Sequence, residues 1–321
     1  MNILITGAAG YIGSQLVQQL EKKISAEEKA WQIVATDIRD QPHYETGAHT
    51  TYHKMDVRAP EFTDFMKDQK IDTVVHLASI VTPGKKSNRE FEYSVDVLGT
   101  KNVLEACVTT GVKRIVVTSS GAAYGYHADN PEWLTETDRL RGNEEFAYSH
   151  HKRLVEEMMA DYREKHPELQ QIIFRIGTIL GQNVNNQITA LFEKPIVLGI
   201  RGSESPFVFI WDQDVVACLI QALSNDVTGV FNVAGDGAVT ITDLGRLLGK
   251  KVMRLPAGVV KTGLFVLKRL NMTQYGEEQI NFLRYRPVLA NTRLKEEFGF
   301  TPTFTSRQVF ENYIAKTWPD E

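Results

Sequence analysis

The chain opens with Met1-Asn2-Ile3-Leu4-Ile5-Thr6-Gly7-Ala8-Ala9-Gly10-Tyr11-Ile12-Gly13, and this stretch decides how the rest is read. Asn2 to Ile5 is a short apolar run of the length of a buried strand. Beyond Gly13, apolar residues at Leu16, Val17 and Leu20 have helical spacing. The order is strand, glycine turn, helix. In that order Gly7 lets the chain turn tightly, Gly10 lets the backbone approach a pyrophosphate, and Gly13 lets the helix pack close to the strand. The free N–H groups at the helix start, around Tyr11 and Ile12, then face phosphates. Turns of every kind use glycine, so the pattern takes its meaning from its place between a strand and a helix.

Outward from the turn, a second apolar strand, Gln32 to Thr36, ends at Asp37. A carboxylate about 20 to 30 residues after the glycine turn is the expected partner of the adenosine ribose hydroxyls. The same charge repels a 2′-phosphate, so Asp37 favours NAD over NADP, and Arg39 weighs the other way. Charged residues from Glu21 to Ala30 form a helix end and loop. Thr51 to Val57, Thr73 to Ala78, Arg114 to Thr118 and Gln171 to Arg175 read as further strands. Asn88 to Thr110 has helical spacing at Phe91, Val95, Leu98, Val103, Leu104 and Cys107, and a long helix runs from about Glu144 to Lys165. Strands alternating with helices predict a Rossmann-type α/β fold, a doubly wound parallel sheet covered on both faces.

After Gly177 the pattern changes. Gly181 to Asn186 is polar and loop-like, and short elements follow near Ile196 to Leu198 and Phe207 to Ile210. A helix over Asp214 to Leu223 and a strand over Val230 to Val233 return to the sheet. Helical stretches near Leu244, Val260 to Leu270 and Phe304 to Ile314 then suggest a smaller lobe. The division is discontinuous: residues 1–176 and 211–234 form the nucleotide-binding domain, and 177–210 with 235–321 form the C-terminal substrate lobe. The switch-point rule places the active site between the carboxyl edge of the sheet and this lobe.

At 321 residues, 42% hydrophobic and 24% charged, the chain has the composition of a globular protein with a large core. Its formal net charge of −4 gives no electrostatic support to nucleic-acid binding. No apolar run approaches the roughly 20 residues of a membrane span. The first strand starts so early that no signal peptide is expected, and a cytoplasmic enzyme fits. The two cysteines, Cys107 and Cys218, fall in helical patterns and read as reduced core residues. No cysteine–histidine spacing suggests a metal.

Tyr148 and Lys152 stand four apart in a helical stretch and so share a face. Ser120 follows the fifth strand, at the carboxyl edge. Oxidising an alcohol needs a base for its O–H proton while a nicotinamide takes the hydride. Free tyrosine, with a pKa of roughly 10, is too weak a base at neutral pH, and about 3 to 4 kcal/mol must be supplied to correct that. One ammonium about 4 Å away supplies around 4 kcal/mol at an effective dielectric of about 20. Tyr148 is therefore the expected base, Lys152 its activator, and Ser120 the hydrogen-bond donor to the substrate oxygen. His150 and His151 are expected to point off that face as surface residues. His76 is expected to pack near the cofactor without titrating, and Lys85 and Lys86 to lie in a solvated loop.

Together these pieces resemble an extended short-chain dehydrogenase/reductase of the NAD-dependent epimerase/dehydratase family, over nearly the whole length. The matching residues are Thr6 to Gly13, Asp37, Asp56-Val57, His76-Leu77-Ala78-Ser79, Val97-Leu98-Gly99-Thr100, Ser119-Ser120-Gly121-Ala122-Ala123-Tyr124-Gly125 and Tyr148-Ser149-His150-His151-Lys152. The resemblance implies bound NAD, with Asp56 and Val57 at the adenine, Leu77, Ala78 and Ser79 along the cofactor, and Lys152 also on the nicotinamide ribose. It implies a homodimer packed through the helix of residues 88–110 and the helix holding Tyr148. Ser120, Tyr124, Thr178 and Phe207 are the expected contacts of a small-molecule substrate.

The chain departs from the family pattern in several places. Asp96 stands where the family often has asparagine. Val81 replaces a lysine of some sugar epimerases. Ser120 and Gly121 occupy the place of the Asp-Glu pair of family dehydratases, which argues against dehydration. Thr178 replaces an asparagine of nucleotide-sugar members. Ser205 to Phe209 lacks the arginine that many use for the diphosphate, although Arg201, Arg284 and Arg286 lie elsewhere in the lobe. Phe207 and Phe209 are therefore expected to form an apolar wall for a substrate less charged than a nucleotide sugar. Epimerisation and simple dehydrogenation both remain open, and a non-catalytic NAD-binding sensor is the alternative from another class; such sensors often lack the tyrosine or the lysine.

Overall fold

The computed structural model describes residues 1–81, 88–184, 186, 188–269, 276 and 279–317. In chain order, β1 (Asn2–Thr6) leads into α1 (Tyr11–Glu27), β2 (Gln32–Asp37), β3 (Thr50–Lys54), α2 (Phe62–Asp68) and β4 (Thr73–His76). Then come α3 (Arg89–Tyr93), a π-helical turn (Ser94–Gly99), α4 (Thr100–Thr110), β5 (Arg114–Ser120), a 3-10 turn (Gly121–Tyr124), α5 (Ala147–Lys165) and β6 (Gln170–Ile176). After these follow β7 (Thr178–Leu180), α6 (Thr189–Phe192), β8 (Val197–Ile200), β9 (Phe209–Trp211), α7 (Asp212–Ala222) and β10 (Gly229–Val233). The chain ends with α8 (Ile241–Leu247), β11 (Val252–Leu255), α9 (Ala257–Arg269), α10 (Gln279–Arg284), α11 (Thr292–Glu296) and α12 (Ser306–Thr317).

Seven strands form one parallel sheet in the order β10-β6-β5-β4-β1-β2-β3. Side chains alternate between its faces, as strand geometry requires. Ile3 and Ile5 point toward α1 and α7, packing with Leu16, Leu20, Val215 and Leu219. Leu4 points the other way and packs with Phe62, Val103, Leu104 and Met159 of α2, α4 and α5. Both faces are apolar and both are covered, the condition for an all-parallel sheet. Strand order reverses between β1 and β4, where Thr6 pairs with His76, and the glycine turn lies at that point.

Several elements differ from the sequence reading, among them the short β7, α6, β11, α10 and α11, which it did not contain. The third strand stops at Lys54, and α2 was not anticipated. Residues 88–110 form two helices joined by the π-turn. There Gly99 passes so close to the neighbouring loop that an added Cβ would lie 2.7 Å from Val57 Cγ2. In the lobe, β7 pairs with β9 and β8 with β11. An aromatic core of Phe192, Phe207, Phe209, Phe310 and Tyr313 holds these strands to α12. Lys85, Lys86 and Leu270 lie outside the described residues. Cys107 and Cys218 are buried and free, as expected.

Candidate active site

A cleft of about 520 Å³ opens along the carboxyl edge of the sheet, beneath the lobe. Gly7, Gly10, Tyr11, Ile12 and Gly13 line one end, and Ser120, Tyr148, Thr178, Phe207 and Arg286 line the remainder.

The glycine turn fits a dinucleotide. Gly7 has φ +67°, and a Cβ there would lie 2.8 Å from Ala78 N. A Cβ on Gly13 would lie 2.2 Å from Gly7 O, so α1 can approach the turn only without one. The N-cap, Gly10, offers no side-chain hydrogen bond, which leaves the first N–H groups of α1 open to a phosphate. Asp37 is drawn up to the turn: Oδ2 accepts from Ala9 N at 3.1 Å and Oδ1 from Arg39 N at 3.2 Å. Arg39 donates to Ala9 O, so its guanidinium also sits at the turn. At the start of α7, Asp212 Oδ2 accepts from the Tyr11 hydroxyl at 2.6 Å.

Between β1 and β4 a hydrogen-bond chain fixes one imidazole. Thr6 Oγ1 accepts from Leu77 N and Ala78 N, so its proton goes to His76 Nδ1 at 2.8 Å. His76 Nε2 then donates to Thr100 Oγ1 at 3.0 Å, which donates to Asp96 O. Burial, assisted by the Lys152 charge, pushes the His76 pKa down from 6.5 to about 3. His76 is therefore a neutral structural group, as its position suggested, and Leu77 and Ser79 beyond it line the cleft.

Helix α5 brings the chemistry to the edge. Ser149 Oγ donates to Ala122 O at 2.6 Å and accepts from Asn143 N, pinning the start of α5 to the 3-10 turn after β5. Ser120 and Tyr148 thereby face one space. Lys152 is buried one turn on, with Nζ 5.6 Å from the Tyr148 ring centroid and donating to Thr118 O at 3.1 Å. Ser120 Oγ accepts from Ala122 N, which leaves its proton available.

Opposite Tyr148 stands an aromatic wall that the sequence did not reveal. Phe282 lies 5.2 Å from Tyr126 and 5.8 Å from Phe146, whose ring is 6.4 Å from Tyr148. Arg286 is held between two rings, 3.9 Å from the Phe207 centroid and 4.2 Å from that of Phe282, with Nε donating to Ser205 Oγ. Burial pushes its pKa down to about 10, so it is still charged at neutral pH. Among the described residues no carboxylate pairs with it.

Other expected residues lie elsewhere. Tyr124 is fully buried behind the site, its hydroxyl between Thr135 O, Asn232 Oδ1 and Arg175, so it does not reach the cleft. The Asp56 carboxylate is taken by Arg58 at 2.6 Å, and Val57 is buried in the core. Phe209 stacks behind Phe207, away from the cleft. Arg201 is exposed, and neither it nor Arg284 lines the cleft. His151 corrects the surface expectation: it is 1% exposed, packed edge-on against Tyr93 and facing Asp96. His150 is half-buried at Arg89.

Comparison with known proteins agrees with this fold. The sequence model of the NAD dependent epimerase/dehydratase family matches residues 3–234. An uncharacterized protein of Mycobacterium bovis is 23% identical over 319 residues, 97% of this chain and 83% of that one. UDP-glucuronic acid decarboxylase 6 of Arabidopsis thaliana is 29% identical over 264 residues, covering 76% and 72%. Among solved structures, MoeE5 in complex with UDP-glucuronic acid and NAD superposes with a TM-score of 0.73 at 24% identity, covering 99% of both chains. UDP-glucose 4-epimerase of Thermotoga maritima with UDP-glucose gives 0.74 at 18%, covering 99% and 98%.

Proposed function

The chain belongs to the NAD dependent epimerase/dehydratase family, and from that premise we propose that it oxidises and reduces a secondary alcohol or ketone carbon of a small anionic substrate. The observation that carries the reading is the meeting of Ser120, Tyr148, the glycine turn and Arg286 in one cleft. NAD, when bound along the glycine turn with Asp37 at its adenosine ribose, supplies the redox chemistry. Tyr148 takes or returns the O–H proton. The Lys152 ammonium lies 5.6 Å from the centre of its ring, on the same face of α5. Ser120 donates to the substrate oxygen, where negative charge develops. Residues 177–210 and 235–321 close over the substrate. The exposed Phe91, Tyr93 and Leu98 belong to the surface on which a homodimer would pack.

Arg286 changes the substrate expectation. A guanidinium held between rings and unpaired with a carboxylate is a site for an anion, and planar phosphate or carboxylate groups suit its fork. We therefore favour a nucleoside diphosphate sugar over an uncharged alcohol, with epimerisation as the reading that best uses it. The substrates named for the Arabidopsis and Thermotoga proteins point the same way. The test is thermal shift of NAD-loaded protein with uridine, thymidine and other nucleoside diphosphates. We expect stabilisation by at least one of them, lost in Arg286→Ala. No response to any diphosphate would overturn the anionic substrate. Mass spectrometry of the purified protein then separates the two chemistries: retained NAD fits an epimerase, and its absence a dehydrogenase.

A further inference from the structure

We propose that the buried contact between Asp96 and His151 positions the cofactor wall after β4. The inference rests on the family's NAD dependence alone and not on the chemistry proposed above. Asp96, in the π-turn, is 3% exposed, and His151, on α5, is 1% exposed. One carboxylate oxygen, Oδ1, accepts both Ile80 N at 2.8 Å and Ser79 Oγ at 3.0 Å. The other, Oδ2, faces His151 Nδ1 at 3.4 Å.

A carboxylate removed from water is costly unless it is paired and hydrogen-bonded. Lys152, next along α5, donates to Thr118 O. His151 is the side chain that α5 presents to Asp96 Oδ2, and Tyr93 closes over its ring at 5.6 Å. Through this pair the loop that carries Ser79 into the cleft hangs from α5, the helix that carries Tyr148 and Lys152. Two walls of the cofactor crevice are held in register by one buried contact. Asp96 and His151 do not line the cleft and are positioning residues.

The pair makes a prediction that packing alone does not. Removing one partner leaves the buried polar group of the other unpaired, whereas replacing both leaves hydrogen-bonding groups that can still meet. The measurement is calorimetric NAD affinity of the full chain at pH 7 for Asp96→Asn, His151→Gln and the double variant. Each single substitution should raise the NAD dissociation constant about tenfold, and the double variant should return within about twofold of wild type. Single variants within twofold of wild type, or a double variant as weak as the product of the singles, would overturn the proposal. If a single variant does not fold, a folded double variant with wild-type affinity supports it equally. A double variant that also fails to fold, or binds NAD weakly, refutes it. Because the readout is binding, an error in the assignment of Tyr148 as base leaves this test untouched.

Discussion

At Tyr148 the ring is half-buried between Phe146 and the Lys152 ammonium. Tyr148→Phe therefore deletes one oxygen and one proton and keeps the packing. We expect a folded protein that binds NAD as wild type does and loses about 10²- to 10⁴-fold in turnover, the usual worth of a positioned acid–base group. Steady-state kinetics on the substrate found by ligand screening, with NAD calorimetry alongside, checks this; near-normal turnover would remove Tyr148 from the mechanism. Tyr148 and Lys152 could be read from sequence because a four-residue spacing on a helix fixes their shared face. His151 could have been read the same way. Three residues from Tyr148 it is rotated only about 60° from it, at the helical repeat of 3.6 residues per turn. What the sequence concealed was that α5 is covered on that side by the π-turn and Tyr93. Arg286 was one of three arginines the sequence offered, and the choice among them was hidden because Phe207 and Phe282, which hold it, come from separate stretches of the chain.

Elements were legible in proportion to their length and periodicity. The apolar runs that became β1, β2, β4, β5 and β6 are buried on both faces and could hardly be anything else. Helix α2 has only Phe62, Phe65 and Met66 as its apolar signal, a single turn, too short to register as a period. The π-turn lies where Gly99 passes close to Val57, a tertiary approach that no local pattern announces. The glycine turn makes the sharpest test at this scale. In Gly13→Ala the new methyl would meet a backbone oxygen that cannot move without dismantling the turn. We expect a loss of roughly 1 to 3 kcal/mol in stability, the usual cost of overpacking, and at least a tenfold loss in NAD affinity. Gly258, in α9, has nothing within 4 Å of its would-be Cβ. Gly258→Ala should therefore be neutral or stabilising by up to about 1 kcal/mol. Thermal denaturation and NAD titration of the two variants compare the same added methyl at a filled and an open position. Equal behaviour would show that the turn is not set by Gly13.

Over the whole molecule, the sheet and its two apolar faces followed from alternation, whereas the lobe did not. Its core is an aromatic cluster assembled from α6, β9, α12 and the strand approach at Phe207, segments whose pairing no local pattern announces. The point where sheet, helices and cleft converge is His76, and there the molecule's response to acid can be derived. Its folded-state pKa, about 3, lies below the ordinary 6.5. Between those values the unfolded chain binds a proton at this site and the folded chain does not, so unfolding takes up a proton. Stability from this group is present above about pH 6.5 and is lost as pH falls toward 3. From pH 7 to pH 5 the loss should be about 2 kcal/mol at 1.36 kcal/mol per pH unit. In His76→Gln, which is less stable at pH 7 because the Thr6–Thr100 link is broken, that part of the slope should vanish. The pKa of His150 is also lowered and adds a slope of the same sign, but it does so in both proteins and cancels in the difference. Denaturant unfolding at pH 7, 6 and 5 supplies the comparison. Curves that fall in parallel would mean that His76 takes up its proton in the folded state, and that the chain from Thr6 to Asp96 does not hold it neutral.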